Sequence, residues 1–376
     1  MYYLDNAATT KVDENVIKIV TKTLTENFGN PSSLHRLGFE SEQIIKASRK
    51  VLAKALGCAD KEVYFTSCGS ESNNIALIGA CEKRIKWADN VICTGYEHPS
   101  VEKPLRSLEK FGLTLNMINP DEKGIIDTDA LVNMVNSKTA LVAVMQVNNE
   151  VGSIIDVVGL AEKIKAKNPR TAVHVDGVQG FLKVPFSLKN SKIDSYTVSG
   201  HKLHAPKGIG ALYLRTGHNI LPPFLGGGQE NGIRPGTENI PYIAGFATAV
   251  EMLLPTTKQR LHNAEELVKY MRQKLGEIEG IKINSPENAC PYNFNFSCVG
   301  IRSETLLHHL EGFDVYVSSG SACSKGKGSH TLTAMGLENN IIDSALRISV
   351  CKDTTIQDIN TLILGVKDGI KVLSKR

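Results

Sequence analysis

Ser195-Tyr196-Thr197-Val198-Ser199-Gly200-His201-Lys202-Leu203-His204-Ala205-Pro206-Lys207-Gly208-Ile209-Gly210-Ala211-Leu212-Tyr213-Leu214 reads as an apolar alternating strand, a turn of small residues, and a second strand. Lys202 stands in the turn, just after Ser199-Gly200-His201. A lysine held among small residues between two buried strands is poorly placed as a solvated charge. It is well placed as an amine that forms a Schiff base; an ordinary surface lysine is the alternative. Upstream, Val173-His174-Val175-Asp176 puts a carboxylate at the end of another apolar strand. An imine-forming lysine plus an acid able to pair with a pyridinium nitrogen is what pyridoxal phosphate requires of a protein.

Working outward, strand-like and helix-like segments alternate. Helical spacing covers 40–56, closed by Gly57. A strand over 62–66 precedes a helix over 70–82, a strand over 91–93 a helix over 101–111, and a strand over 114–118 a helix over 127–135. A strand over 141–147, a helix over 157–167 and a strand over 172–175 continue the rhythm. Such βαβ alternation predicts a mostly parallel sheet covered on both faces, with ligands at the carboxyl ends of its strands. Pro and Gly thicken between 222 and 241, and a long helical pattern over 256–279 follows, so a domain boundary is expected near 255. Beyond it, strands over 292–298 and 346–350 mix with helices over 305–310 and 356–373, an α+β pattern.

With 376 residues, 41% of them hydrophobic, the chain can bury a sizeable core and form two domains. The 43 basic and 39 acidic residues leave a net charge of +4, dispersed along the chain, so direct nucleic-acid binding is not expected. Met1 to Asp5 lacks the basic-then-apolar signature of a signal peptide, and no apolar run reaches membrane-spanning length. The eight cysteines show no CxxC pair and read as reduced thiols, which makes a cytoplasmic location the expectation.

Thr66-Ser67-Cys68-Gly69-Ser70-Glu71-Ser72 joins a strand to a helix. Gly69 lets a ligand approach the backbone, and Ser70 with the first free amides can hold a phosphate; a plain helix start with Ser70 as N-cap is the alternative. Asp176 is either a structural carboxylate or a functional one, and Gln179 follows it by three residues. Asn148-Asn149-Glu150 forms a similar polar cluster at a strand end, and His98 follows the strand at 91–93. Cys323, in the glycine-rich run 318–328, is flanked by Lys325 and Lys327, whose charge favours the thiolate. That run is expected to be exposed and mobile; an incidental surface thiol is the alternative.

Together these pieces resemble the cysteine desulfurases of the NifS/IscS type, within the class V aminotransferases of fold-type I. The resemblance spans essentially the whole chain. It rests on Tyr3-Leu4-Asp5-Asn6-Ala7-Ala8-Thr9-Thr10, Phe28-Gly29-Asn30-Pro31-Ser32-Ser33, His35-Arg36, Asn148-Asn149-Glu150-Val151-Gly152, Ser199-Gly200-His201-Lys202, Arg234-Pro235-Gly236-Thr237 and Ser318-Ser319-Gly320-Ser321-Ala322-Cys323, in that order. It implies an α/β fold: a large domain, 16–255, with a mainly parallel sheet covered by helices, and a smaller α+β domain from 1–15 and 256–376 that carries the Cys323 loop.

The roles that the resemblance implies are these. Lys202 binds pyridoxal 5'-phosphate as a Schiff base and moves the substrate's Cα proton. Asp176 keeps the pyridine nitrogen protonated; Gln179 and Asn149 contact the phenolate side. His98 stacks on the ring and takes part in proton transfer. Gly69, Ser70, Ser199 and His201 hold the phosphate, joined by Thr237 from the partner subunit of a homodimer. Asn149 also meets the substrate, L-cysteine, and Arg347 grips its carboxylate, to which a guanidinium fork is suited. Cys323 takes the sulfur as a persulfide, leaving alanine, and passes it to an acceptor protein, either an iron–sulfur scaffold or a tRNA-thiolation enzyme. Three departures stand out: serine at Ser70 where threonine is usual, Asp176-Gly177-Val178-Gln179 in place of Asp-Ala-Thr-Gln, and a shorter, more basic stretch after Cys323. Another class V enzyme, such as an aminotransferase or a selenocysteine lyase, or a catalytically silent paralogue, are the competing expectations.

Overall fold

The computed structural model describes residues 1–319 and 328–373. In chain order its strands are β1 (Tyr2–Tyr3), β2 (Val63–Thr66), β3 (Asn90–Thr94), β4 (Thr114–Ile118), β5 (Thr139–Met145), β6 (Ala172–Asp176), β7 (Ser195–Ser199), β8 (Gly210–Leu214), β9 (Ile281–Ile283), β10 (Asn293–Cys298), β11 (Val315–Tyr316) and β12 (Ala345–Ser349). Its α-helices are α1 (Glu14–Glu26), α2 (Arg36–Leu56), α3 (Gly69–Arg84), α4 (Pro99–Ser107), α5 (Thr128–Met134), α6 (Val157–Lys167), α7 (Ile240–Leu253), α8 (Thr257–Gly276), α9 (Ser303–Glu311), α10 (His330–Ala334), α11 (Asn339–Asp343) and α12 (Ile356–Leu373).

The main sheet runs β2-β8-β7-β6-β5-β3-β4. Only β8 is antiparallel to its neighbours; the other pairings are parallel. Every residue of β5, β6, β7 and β8 is buried, as helices on both faces require. On one side α1 and α2 pack on α7; α3 lies against β5, β7 and β8. The β7–turn–β8 unit is the Lys202 stretch, so that lysine sits at the carboxyl edge of the sheet. The carboxyl ends of β2, β3, β5 and β6 meet there too, because six of the seven strands point the same way.

A second core lies around β10 and β12, which pair antiparallel with β9 beyond. It buries Met271 and Leu275 of α8, Leu306 of α9, Leu362 of α12, and Leu4 from the amino terminus. Through Leu4, and through the parallel β1–β11 pair, the first residues of the chain are fixed next to the last third of it. Few of the expected elements moved by more than two residues. The helix expected over 101–111 is α4 followed by a 3-10 turn, Leu108–Phe111, that Gly112 ends in a left-handed conformation. The strand expected over 141–147 ends at Met145, since Val147 leaves the sheet to bridge Ile154. The short β1, β9 and β11 have no periodicity long enough to read in advance.

The Pro- and Gly-rich segment after β8 is tied to the sheet edge by one buried carboxylate. Glu230 accepts two hydrogen bonds of 2.7 Å from the Arg49 guanidinium and one of 2.9 Å from the Phe65 N–H. No helix among the described residues is long and apolar enough to cross a membrane.

Leu77, fully buried on α3, holds the helix whose first turn opens on the site. Leu77→Ala is expected to cost about 2–5 kcal/mol through lost contacts and a residual cavity. Chemical denaturation checks this: the midpoint falls while the slope stays the same.

Candidate functional site

At the carboxyl edge of the sheet lies a cavity of about 580 Å³. Gly69, Ser70, His98, Asn149, Asp176, Gln179, Ser199, His201, Lys202 and Arg347 all line it. Ten residues expected from scattered parts of the sequence therefore share one space. Thr237 does not line it; that residue is exposed on the segment after β8. Cys323 lies outside the described residues. A larger cavity, about 1030 Å³, opens among Arg84, Lys165, Asp194 and Arg215 at the amino ends of β6 and β7, and none of the expected residues lines it.

Lys202 ends a short 3-10 turn that continues from β7. Its Nζ donates to the carbonyls of Ala7 (2.6 Å) and Ala8 (2.7 Å). Burial is the largest cause lowering its pKa, and the nearby Lys183 and Arg347 charges lower it further. Asp5 and Asp176 only partly offset these, so the amine titrates at about 7. Near neutrality a large fraction is the free amine, which is the nucleophilic form.

Asp176 ends β6 with its side chain buried. Oδ2 accepts from Asn73 Nδ2 at 2.9 Å and Oδ1 from the Val178 N–H at 3.0 Å, both uncharged donors. The carboxylate is thus anchored without a neutralising cation and keeps capacity for one more donor. Asn73 Nδ2 also donates to Ser100 Oγ at 2.9 Å, and Ser100 Oγ faces His98 Nδ1 at 2.7 Å. His98 Nδ1 also accepts from the Ser100 N–H at 3.1 Å, which caps α4. With Nδ1 an acceptor, the neutral ring carries its proton on Nε2. Burial first, then Lys202, push the His98 pKa down, against Asp176. Behind this pair His174 is buried and held neutral, its pKa lowered to about 3 chiefly by burial. It bridges Asn73 Oδ1 (3.0 Å) and Ser195 Oγ (2.8 Å).

At the other end, α3 begins at Gly69 with Cys68 as N-cap and no side-chain cap bond. Ser70 is therefore not the cap, and the first-turn amides are left for a ligand. A Cβ on residue 69 would meet Val178 Cγ2 at 2.9 Å, so glycine leaves the approach open. Ser199 Oγ is buried with no partner among the described residues, an unusual cost unless a ligand supplies one. His201 faces Thr9 Oγ1 at 3.3 Å, and burial, then Lys202, lower its pKa to about 3.

On the small-sheet side, Arg347 of β12 donates to Asp5 Oδ1 at 2.8 Å and to the Asn149 carbonyl at 3.2 Å, while its buried Nε has no partner among the described residues. Gln179 donates to the Ala7 carbonyl at 3.0 Å and accepts from Lys183 Nζ at 2.8 Å. Gly177 accounts for one departure noted in the sequence: a Cβ there would lie 1.9 Å from the Tyr196 ring.

Three buried groups in or behind the cavity escaped the sequence reading. Asn73 stands one turn after Gly69 on α3, a spacing that signals a shared face. Lys183 is a lone lysine in the apolar run Phe181 to Phe186. Glu97, next to His98, is buried and pushed up to about 8, mainly by burial, so it is largely protonated at neutral pH. Glu150, of the Asn148-Asn149-Glu150 cluster, also lines the cavity and accepts from Ser329 Oγ at 2.5 Å.

Residues 2–362 match the family described as aminotransferase class V. A cysteine desulfurase of Nostoc sp. is 37% identical over 96% of this chain and 90% of its own. A NifS/IcsS protein homolog of Lactobacillus delbrueckii is 36% identical over 100% of this chain and 98% of its own. A solved NifS-like protein superposes with TM-score 0.93 at 35% identity, covering 98% of this chain and 99% of that one. SspA in complex with cysteine superposes with TM-score 0.83 at 29% identity, covering 93% and 99%.

In the cofactor-free protein, the rate of Lys202 acylation by an amine reagent is expected to follow a titration near pH 7, ionised below and reactive above. Peptide mapping after pulse labelling at graded pH checks this; a midpoint at the ordinary lysine value, about 10.4, contradicts it.

Proposed function

The chain belongs to the class V aminotransferase family, and on that footing we propose that it is a pyridoxal-phosphate-dependent cysteine desulfurase, taking L-cysteine to L-alanine and holding the sulfur as a persulfide on Cys323. The observation that carries this reading is a cavity in which a half-buried amine, Lys202, and a buried carboxylate, Asp176, flank an uncapped helix start at Gly69.

The donor set fits a phosphorylated pyridine. The free first-turn amides of α3, Ser70, the unpartnered Ser199 hydroxyl and His201 suit the phosphate. Asp176, anchored by neutral donors, suits a protonated ring nitrogen. Gln179 and Asn149 line the same wall, for the phenolate side. Bound there, pyridoxal phosphate supplies an electron sink for the carbon that loses its proton.

The protein's own groups then divide the work. Lys202, a free amine near neutrality, holds the cofactor and moves the proton at the substrate Cα. His98, neutral with its proton on Nε2, serves proton exchange from the wall of the cavity. The Arg347 guanidinium binds the substrate carboxylate, with Asp5 fixing its orientation from behind. The Cys323 thiolate attacks the substrate sulfur: the S–S bond forms as the Cβ–S bond breaks. The bonding electron pair stays on carbon, which takes up a proton and ends as the methyl of alanine. Lys325 and Lys327 favour that thiolate.

The position of Cys323 in the chain supports this assignment. Ser318 lines the cavity and exchanges backbone hydrogen bonds with Arg347 (3.2 and 2.7 Å). His330 and Thr331 line it from the other side. Cys323 follows Ser318 by five residues, a reach of up to about 17 Å.

A homodimer in which Thr237 completes the partner's phosphate site is part of the same proposal. Phe28, Leu34, Phe39, Phe224 and Leu225 are exposed apolar side chains, and Leu225 is 96% exposed. Pro31 and Ser32 share a cavity with Gly228 and Glu230, so the two segments that carry these side chains are adjacent. Exposed apolar side chains gathered on neighbouring segments suit an interface. The sulfur acceptor, an iron–sulfur scaffold or a tRNA-thiolation enzyme, would meet the cavity rim near Ser318 and His330.

Purified protein supplied with cofactor, L-cysteine and a thiol reductant is expected to release alanine and sulfide in equal amounts; neither product appearing contradicts the reading. Lys202→Ala is expected to lower turnover at least about 10²–10⁴-fold, and Cys323→Ala to remove sulfide release. For the dimer, Leu225→Asp should shift sedimentation toward a monomer with loss of cofactor affinity; an unchanged monomeric wild-type protein would sink that part.

A further inference from the structure

Lys183 is buried to 6% exposure with no carboxylate at ion-pair distance among the described residues. A buried ammonium without a counter-charge is costly, so its position needs a reason. It lies four residues after Gln179 in a tight winding in which Phe181 bonds back to Gly177 and Val184 to Gly180. The winding brings the two side chains together, and Lys183 Nζ donates to Gln179 Oε1 at 2.8 Å.

That one contact decides which way the Gln179 amide faces. An amide flips at little cost unless its environment distinguishes oxygen from nitrogen. An ammonium has three donors and no acceptor, so it accepts only the oxygen beside it. Gln179 Nε2 must then face the cavity, where it donates to the Ala7 carbonyl at 3.0 Å. The same carbonyl takes Lys202 Nζ at 2.6 Å. A continuous chain thus joins the buried Lys183 to the half-buried Lys202 through Gln179 and Ala7.

We propose that Lys183 is a positioning residue for the site: its ammonium locks the Gln179 amide with its N–H side toward the cavity and, through the shared Ala7 carbonyl and its own charge, holds Lys202 ready to act as a free amine. The proposal rests on the reading of Lys202 as the cofactor-binding amine. It adds a requirement that reading lacks: a phenolate oxygen beside Gln179 must meet a donor, and a flipped amide would offer it a carbonyl instead.

The electrostatics agree in sign. After burial, the Lys183 charge does most to lower the Lys202 pKa, ahead of Arg347, while Asp5 and Asp176 raise it. His98 and His201 also line the cavity and are held toward their neutral forms. Around Lys183 itself stand Cys290, Cys351, Arg347 and Arg260, with the Tyr292 ring 5.9 Å away. Burial lowers the Lys183 pKa to about 8, so it is mostly charged at neutral pH.

The test uses Lys183→Met, which keeps the length and removes the charge, beside Lys183→Arg, which keeps the charge. Replacing an unpaired buried cation with an apolar chain is not expected to unfold the protein; if Lys183→Met does unfold, Lys183→Gln carries the same comparison. In cofactor-free protein, the Lys202 labelling midpoint is expected to rise by on the order of one pH unit in the Met variant and to stay near the wild-type value in the Arg variant. In holoenzyme, kcat/KM is expected to fall further in the Met variant than in the Arg variant. A Lys202 midpoint unchanged in Lys183→Met overturns the proposal, as does an equal rise in both variants. A wild-type midpoint at the ordinary lysine value would instead remove the reading of Lys202 on which it rests, so the two failures are distinguishable.

Discussion

The constraint on which the site depends is the burial of positive charge at the carboxyl edge of a sheet. Lys202, Lys183 and Arg347 converge there, and at Lys202 the carboxylates Asp5 and Asp176 offset the positive charge only in part. Water would have solvated these groups; the fold instead gives Lys202 two backbone carbonyls, from Ala7 and Ala8. Carbonyl dipoles hold an ammonium in place without fully compensating its lost hydration, so the neutral amine becomes accessible at physiological pH. The N-terminal segment is thus part of the chemistry. Leu4, fixed in the second hydrophobic core, and Asp5, bonded to Arg347, place those carbonyls.

The same edge explains why the cavity is two-ended. The parallel strands deliver Asp176, Asn149 and Lys202 side by side, while α3 delivers unsatisfied amides across from them. Anion-seeking groups gather at Gly69, Ser70, Ser199 and His201. The carboxylate Asp176 stands apart, reached through Asn73 and backed by the neutral His174. A ligand with a phosphate at one end and a basic nitrogen at the other matches that polarity. The Asn73 amide also ties Asp176 to Ser100 and so to His98, which makes the acid and the imidazole one hydrogen-bonded unit.

Much of the fold was legible because long apolar runs separated by amphipathic helices admit few other arrangements. The strand carrying Asp176 and the β7–turn–β8 unit around Lys202 could be read from polarity alone. What was not legible was short or tertiary. β1 and β11 are two-residue strands whose pairing depends on chain ends meeting. Asn73 and Lys183 act through partners more than a hundred residues away or through an amide orientation, neither of which leaves a local pattern. Residue type favours Ser70 as the N-cap, yet the extended backbone at Cys68 makes that residue the cap and starts the helix at Gly69. The Gly177 departure became clear only once the Tyr196 ring was seen to fill the space of a Cβ.

The central claim is that Lys202 is the amine that holds the cofactor. Borohydride reduction of the cofactor-loaded protein converts an imine to a stable secondary amine, and peptide mapping then locates the attachment. The account predicts the cofactor mass on the peptide containing Lys202 alone. Attachment at Lys183, at Lys207 or at any other lysine, with Lys202 unmodified, would contradict it.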